Sequence, residues 1–152
     1  MKKKLFCDID DTIADHFSLY KKFLNKKSDI NLLKLKPIKY SRLAFKTFNK
    51  YYDIYFITRR KSKDKKITIY WLKKNNFSFK KVFFVKNDQS KLNFIIRNNG
   101  FIYIDDLKYN YENLKPKIKT RLIKKINQLD LNFFRFSNNW LEIKKKILKN
   151  IF

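Results

Sequence analysis

The sequence predicts an α/β fold in which helices cover both faces of a parallel sheet of about five strands. Two observations support this prediction. Short apolar runs rich in Phe, Ile, Tyr and Val recur along the chain, and these residue types suit a buried, pleated surface. Segments with a helical spacing of apolar residues lie between the runs, as the crossover connections of a parallel sheet require. The alternation is typical of a Rossmann-like sheet, whose ligand site lies at the carboxyl ends of the strands.

The predicted elements follow one another along the whole chain. The strands are expected at Lys4–Ile9, Asp53–Thr58, Lys81–Val85, Gly100–Ile104 and Leu131–Phe136. Apolar residues at helical spacing predict later helices around residues 67–74, 92–96, 122–129 and 143–148. No repeat, Gly/Ser linker or low-complexity stretch interrupts the series, so one domain is expected over residues 1–152.

The first connection, between residues 10 and 53, is the longest. It has room for a crossover helix at about Ser41–Tyr51 and for an extra helical piece at about Ile13–Leu24, with a loop to Pro37. We expect the extra piece to form a small helical cap insert at about residues 13–40.

The charge of the chain permits two explanations. The 152 residues include 38 Lys and Arg and 13 Asp and Glu, so the net charge is +25. Such a charge suits an anionic partner such as nucleic acid. The abundance of Lys, Asn, Ile, Phe and Tyr is also the bias of an AT-rich coding sequence, and the lysines are spread along the chain. One stretch, Arg59–Lys66, contains more basic residues than that bias requires.

Composition also excludes several kinds of site and location. Cys7 and His16 are the only residues of their types, which excludes an internal disulfide and a metal site built on several cysteines or histidines. No run approaches the roughly 20 apolar residues of a membrane span. The apolar stretch after Lys4 meets Asp8 after three residues, whereas a secretory core needs about 7–15. A cytoplasmic protein without a membrane partner is therefore expected.

Polar and acidic residues follow the ends of four predicted strands. They are Asp8–Thr12, Thr58–Arg60, Lys86–Lys91 and Asp105–Asp106. The carboxyl ends of parallel strands meet at one edge of the sheet, so these residues should converge there. Several carboxylates brought together repel one another unless a cation joins them, and hard oxygen ligands suit Mg²⁺. The sequence therefore predicts a Mg²⁺ site that could also bind a substrate phosphate.

The order of these residues resembles that of the haloacid dehalogenase superfamily, most of whose members are phosphatases. Its first motif, Asp-x-Asp-x-Thr after a hydrophobic strand, corresponds to Asp8–Thr12. Its second motif is a Thr or Ser that ends a strand, here Thr58. Its third is a Lys near the start of a later helix, with Lys91 as the best candidate and Lys86 as the reserve. Its fourth is an acidic pair after a strand, here Asp105–Asp106.

A closer similarity is to the 5′(3′)-deoxyribonucleotidase-like branch of that superfamily. In that branch the first motif tends to continue into an Ala-Asp pair, here Ala14–Asp15, and a basic residue like Arg59 follows the second motif. An Arg…Trp-x-x-Ile pattern comes near the end of the chain, as in Arg135, Trp140 and Ile143. The segment available for a cap is short for this branch.

The resemblance implies a role for each matching residue. Asp8 would attack phosphorus and form an aspartyl-phosphate, and Asp10 would serve as general acid and then general base. Thr58, Arg59 and Lys91 would bind the phosphoryl group and offset its charge. The implied ligands of Mg²⁺ are Asp8, Asp10 through its backbone carbonyl, Asp105 and Asp106, with either of the last two as a direct ligand. Asp11 and Thr12 would shape the loop.

Three functions remain compatible with the sequence. The first is a Mg²⁺-dependent phosphatase of small phosphate esters, with a 5′(3′)-nucleotidase as the expected type. The second is a phosphatase of nucleic-acid 3′ ends, favoured by the short cap and by Arg59–Lys66 beside the catalytic edge. The third is a non-enzymatic basic protein that uses the same fold to bind nucleic acid or a large assembly. The acidic residues count against the third, because carboxylates without a metal repel a polyanion.

Overall fold

The structure is a computed structural model that describes residues 1–23, 31–106, 131–136 and 139–149. The strands are β1 (Lys3–Cys7), β2 (Tyr52–Thr58), β3 (Lys81–Phe84), β4 (Gly100–Asp105) and β5 (Asn132–Arg135). The helices are α1 (His16–Phe23), α2 (Ser41–Phe48), α3 (Lys65–Lys74), α4 (Asp88–Arg97) and α5 (Trp140–Lys149). Short 3₁₀ turns cover Leu32–Lys34 and Ser62–Asp64. The helix predicted at 122–129 lies outside the described residues. None of the described helices has the length and apolar character needed to cross a membrane.

The five described strands form one parallel sheet in the order β3-β2-β1-β4-β5. β1 is central, and Cys7 near its end pairs with Phe56 of β2 and Ile104 of β4. The ends of these three strands therefore lie side by side, which brings the residues that follow them together. This topology confirms the predicted parallel sheet of about five strands.

Helices cover both faces of the sheet, as predicted. Because successive side chains of a strand point to opposite faces, Leu5 and Cys7 of β1 belong to one apolar cluster and Phe6 to another. The first cluster includes buried residues of α2, α3 and α5, and the second includes Ile95 and Ile96 of α4.

Two predicted elements end two or more residues earlier than expected, whereas β3 and β5 end only one residue early. β1 ends at Cys7 rather than Ile9, because the chain turns there into a loop in which the amides of Ile13 and Ala14 both donate to the carbonyl of Ile9 at 2.9 Å. α2 ends at Phe48 rather than Tyr51. The early end of β1 places Asp8 at the edge of the sheet, where its amide still donates to the Ile104 carbonyl at 2.9 Å.

The only glycine of the chain, Gly100, lies where α4 meets the start of β4. A Cβ atom at this position would lie 2.4 Å from Cγ2 of Ile95 and 3.2 Å from Cδ2 of Phe6. A side chain here would push α4 away from the sheet. The glycine thus permits the close packing that positions α4, the helix that carries Lys91.

The segment expected to form a cap contains α1 and the 3₁₀ turn at Leu32–Lys34. Its second half returns to the loop after β1, where the Ile38 amide donates to the Ile13 carbonyl at 2.8 Å and Ala14 forms a bridge with Pro37. The role of this segment as a cap stays a prediction.

Candidate active site

Asp8, Lys91 and Asp105 form a buried ion cluster at the carboxyl ends of β1 and β4. The ammonium group of Lys91 donates to Oδ1 of Asp8 at 2.8 Å and to Oδ2 of Asp105 at 2.9 Å. Only 2% of the Lys91 side chain is exposed, and both carboxylates are buried. A buried charge is costly unless it is paired, so these three residues depend on one another.

The first turn of α4 carries Lys91 to this position. The Asn87 side chain accepts a hydrogen bond from the Ser90 amide at 2.8 Å and so caps the helix N-terminus. Lys91 lies four residues after Asn87, and its ammonium nitrogen is also 3.7 Å from Oδ1 of Asp88. Lys86, by contrast, precedes the helix and is exposed. The geometry favours Lys91 over Lys86 as the lysine of the site.

Negative charge exceeds positive charge in this cluster. Asp8, Asp105 and Asp106 each offer a carboxylate oxygen, and these oxygens lie within 4.8 Å of one another. Burial raises the pKa of Asp8, and the neighbouring carboxylates add to the rise, while Lys91 opposes it. Burial, a hydrogen bond with Asp105 and the Asp105 charge likewise raise the pKa of Asp106. Burial alone would lower the pKa of Lys91, but Asp8 and Asp105 raise it above its ordinary value.

This donor set fits a hard divalent cation. Carboxylate oxygens are the ligands that Mg²⁺ prefers, and a cation would offset the negative charge that Lys91 leaves uncompensated. The oxygens that meet within the described part of the chain come from Asp8, Asp105 and Asp106. The carboxylate of Asp10 binds Arg60 instead. That the backbone carbonyl of Asp10 is a ligand of the metal stays a prediction.

Tyr103 fixes the orientation of Asp105 from within the sheet. Its hydroxyl donates to Oδ2 of Asp105, the same oxygen that accepts from Lys91. Residues 103 and 105 point to the same side of β4, because side chains of a strand alternate. Two donors on one oxygen restrict the rotation of the carboxylate.

Arg60 binds Asp10 through a two-pronged contact. Its Nε lies 3.0 Å from Oδ2 of Asp10, and one terminal nitrogen lies 2.6 Å from Oδ1. The other terminal nitrogen donates to Oγ1 of Thr68 in α3 at 3.1 Å. The Arg60 side chain is only 4% exposed, whereas that of Asp10 is 29% exposed. Arg60 thus fixes Asp10 while one side of the carboxylate remains open to solvent.

The loop between Asp8 and α1 is held from several directions. Asp11 has a φ of 57°, which Asp tolerates better than most residues, and its carboxylate accepts from the Phe17 amide at 2.7 Å. The Thr12 hydroxyl accepts from the Asp106 amide at 3.1 Å, and the Thr12 carbonyl accepts from Nε1 of Trp140 at 2.8 Å. Asp11 and Thr12 therefore shape the loop, as the motif implied.

The predicted substrate-binding residues of β2 occupy different environments. Thr58 is buried at the end of the strand, and its Oγ1 accepts from the Arg60 amide at 3.2 Å. The Arg59 side chain is 57% exposed and forms a 2.8 Å ion pair with Asp88. That Thr58 and Arg59 contact a phosphoryl group remains a prediction.

Sequence reasoning placed Arg60 at this edge of the sheet but gave it no role in the site, and it missed Thr68 and Tyr103. Arg60 could have been found from the alternation of strand side chains, since a residue two positions after Thr58 points the same way if the extended backbone continues. Tyr103 lies in an apolar strand, where the sequence pattern is that of an ordinary core residue. Thr68 carries no local signal, because its contact with Arg60 depends on how α3 packs.

Comparison with solved structures finds a similar fold in other proteins, one of which is a HAD domain. The HAD domain of the effector protein Lem4 from Legionella pneumophila matches with a TM-score of 0.57 and 15% identity, over 98% of this chain and 95% of that one. A chain in a Pnkp1/Rnl/Hen1 complex matches with a TM-score of 0.59 and 15% identity, over 89% of this chain and 45% of that one. This chain thus spans less than half the length of the second match. No family model and no curated protein matches the sequence.

Proposed function

We propose that the protein is a Mg²⁺-dependent hydrolase of phosphate monoesters that works through an aspartyl-phosphate on Asp8. The observation that carries the proposal is the buried pair Asp8 and Asp105, joined by the Lys91 ammonium group, with a carboxylate oxygen of the half-buried Asp106 within 4.8 Å of theirs. Phosphoryl transfer through an aspartyl-phosphate uses a carboxylate nucleophile, a fixed positive charge and a divalent cation. The HAD-like fold is consistent with this chemistry.

In the first step, an oxygen of Asp8 forms a bond to phosphorus as the bond to the ester oxygen breaks. Asp10 gives its proton to the leaving oxygen, because an alkoxide leaves poorly without one. In the second step, water attacks phosphorus and gives a proton to Asp10. The bond between phosphorus and Asp8 then breaks, which releases inorganic phosphate and restores both carboxyl groups.

The other residues stabilise charge and hold these groups in place. Lys91 offsets the negative charge of the phosphoryl oxygens, and Thr58 and Arg59 bind those oxygens. Asp8, Asp105, Asp106 and the backbone carbonyl of Asp10 would hold Mg²⁺. The cation, when bound, would offset the charge of the phosphoryl group and orient it.

Magnesium is expected to stabilise the fold. A ligand present at ten times its dissociation constant adds about 1.4 kcal/mol, which raises the melting temperature of a domain of this size by a few degrees. The rise should be larger at pH 8 than at pH 6, because the raised pKa values of Asp8 and Asp106 leave these groups more protonated at the lower pH. Thermal melts with and without millimolar Mg²⁺ measure both effects.

The Asp106→Asn variant should lose most of this Mg²⁺-dependent rise, whereas Asp53→Asn, at the other end of β2, should retain it. A melting temperature that Mg²⁺ leaves unchanged at both pH values, together with turnover in the presence of a chelator, would remove the metal from the proposal.

Replacement of Arg60 tests the role of Asp10. Arg60→Lys keeps the charge but loses the two-pronged contact with Asp10 and the contact with Thr68. We expect kcat to fall about 10- to 100-fold for an alkyl phosphate. The loss should be much smaller for p-nitrophenyl phosphate, whose leaving group needs no proton. Steady-state kinetics with both esters measure the difference.

Arg97→Lys is the matched control, because Arg97 is exposed near the C-terminal end of α4. It should leave both rates unchanged. An equal loss of turnover with both esters in Arg60→Lys would mean that Arg60 acts on the fold or on the substrate rather than through Asp10.

The substrate class divides the proposal into two candidates. A small phosphate ester, with a nucleotide as the first expectation, is the first candidate. A nucleic-acid 3′ end is the second candidate, favoured by the exposed basic residues of Arg59–Lys66, such as Lys61 and Lys63, that follow Thr58. A screen of nucleoside monophosphates, sugar phosphates and 3′-phosphorylated oligonucleotides, with and without Mg²⁺, separates the two. Hydrolysis of none of them in the presence of Mg²⁺ would contradict the proposal.

A further inference from the structure

A basic groove lies along α2, separate from the ion cluster of Asp8, Lys91 and Asp105. Its volume is about 740 Å³, and its walls come from residues 37–40, from α2 and from the turn after α3. Three cations line it, Lys39, Arg42 and Lys46, and no acidic residue does. All three are exposed, and none forms an ion pair within the described part of the chain.

The unpaired state of these cations distinguishes them from the cations of the candidate active site. Arg59, Arg60 and Lys91 each lie against an aspartate. The groove therefore presents a local excess of positive charge in a concave surface, the arrangement that attracts an anionic ligand. An AT-rich coding bias accounts for many lysines, but not for their collection without carboxylates around a groove.

Apolar side chains in the groove are exposed to solvent. Tyr40 is 43% exposed and Leu43 is 50% exposed. Tyr40 precedes α2 with a φ of 66°, a left-handed conformation that is rare for a bulky residue. The ammonium group of Lys39 lies 4.9 Å from the centroid of its ring. An exposed ring beside cations is the combination that binds single-stranded nucleic acid, because bases stack on the ring while phosphates contact the cations.

The chain that leads into the groove wall is hydrogen-bonded to the loop that follows Asp8 and Asp10. The Asp15 amide donates to the Lys36 carbonyl at 2.9 Å, and the Ile38 amide donates to the Ile13 carbonyl at 2.8 Å. Residues 36–38, which lead into the groove wall, are thereby joined to the residues directly after the Asp-x-Asp-x-Thr motif. The groove wall thus begins next to the loop that follows the proposed nucleophile.

We infer that this groove binds a single strand of nucleic acid through Lys39, Arg42 and Lys46, with Tyr40 as a stacking surface for a base. That the strand is also a substrate rests on the proposed phosphatase function. Binding of the strand does not depend on that function, because none of these residues belongs to the proposed reaction.

Fluorescence anisotropy with a labelled oligonucleotide of about 12 nucleotides without a terminal phosphate tests this inference directly. The variant Lys39→Gln/Arg42→Gln/Lys46→Gln should bind at least about tenfold more weakly at low salt. Because each phosphate contact on a single strand contributes about 0.7 to the slope of log K against log salt, loss of three contacts should reduce that slope by about two.

The matched control changes the same charge on α5. Lys145, Lys146 and Lys149 are exposed and do not line the groove. Their joint replacement by Gln should leave the slope nearly unchanged. If both triple variants weaken binding and reduce the slope equally, the charge of the chain acts as a whole and the groove is not a site.

Tyr40→Gly tests the stacking contact. Glycine accepts the left-handed backbone at this position without strain, so the fold should be retained while the ring is lost. Binding should weaken at least about fivefold with an unchanged salt slope. Unchanged binding of Tyr40→Gly would overturn the assignment of Tyr40 as the stacking surface.

The phosphatase function is tested separately by turnover of p-nitrophenyl phosphate by the unmodified protein. Turnover without oligonucleotide binding would overturn the groove and leave the phosphatase. Oligonucleotide binding without turnover would overturn the phosphatase and leave the groove.

Discussion

Asp8→Asn should reduce turnover by at least about a thousandfold, because the amide cannot form the phosphoryl-enzyme bond. The fold should be retained, since asparagine has nearly the same shape and Asp105 still pairs with Lys91 at 2.9 Å. Steady-state kinetics with an activated ester measure the loss, and circular dichroism and thermal melting measure the fold.

Asp53→Asn is the matched control for the loss of a carboxylate. Asp53 lies near the start of β2, where its nearest cation is the exposed Lys80 at 3.7 Å. Its replacement should leave turnover unchanged. If Asp8→Asn retained activity within a few-fold of the unmodified protein, another group would have to attack phosphorus and the assignment of Asp8 would be wrong.

Lys91→Met should cost about 3–5 kcal/mol of stability at neutral pH, because it leaves two buried carboxylates without their cation. Lys86→Met, at an exposed site before α4, should cost less than about 0.5 kcal/mol. Denaturant unfolding of the two variants without divalent cations measures this difference. The contrast separates the lysine of the buried cluster from the reserve candidate.

The cost of Lys91→Met should shrink as the pH falls. Lys91 opposes the rise that burial causes in the pKa of Asp8, so its loss should raise that pKa further. The folded variant should then bind a proton in a pH range where the folded unmodified protein does not, and it gains stability on acidification through that range. Lys91 itself has a raised pKa and stays charged in both states below about pH 10, so it adds no opposing trend in this range. An equal cost at pH 7 and pH 9, on the two sides of the Asp8 pKa of about 8, would mean that only packing, and not the charge of Lys91, had been lost.

The parallel sheet and its acidic edge could be predicted because both depend on local patterns. Apolar runs that alternate with helical spacing define the strands, and the carboxyl end of a strand is a position that sequence alone can locate. Asp8 and Asp105 were therefore found from the residues that precede them. The helix predicted at 122–129 falls outside the described residues and remains a prediction.

The contacts within the site could not be predicted because they join residues far apart in the sequence. Lys91 lies 83 positions from Asp8 and Arg60 lies 50 positions from Asp10, so the sequence could place each cation at the edge of the sheet but could not show which carboxylate it contacts. The contact of Tyr103 with Asp105 spans only two positions. It was missed because an aromatic residue in a buried strand is most simply explained by packing.

The phosphoryl-enzyme itself provides the most direct test of the proposed mechanism. The protein is mixed with an activated ester and Mg²⁺, quenched in acid within the first turnovers, and examined by intact-protein and peptide mass spectrometry. We expect a mass increase of about 80 Da, one phosphoryl group, on the peptide that contains Asp8. The adduct should accumulate in Asp10→Asn, which lacks the base for the second step, and be absent from Asp8→Asn. Full turnover with no adduct in either the unmodified protein or Asp10→Asn, or an adduct on a residue other than Asp8, would contradict the mechanism.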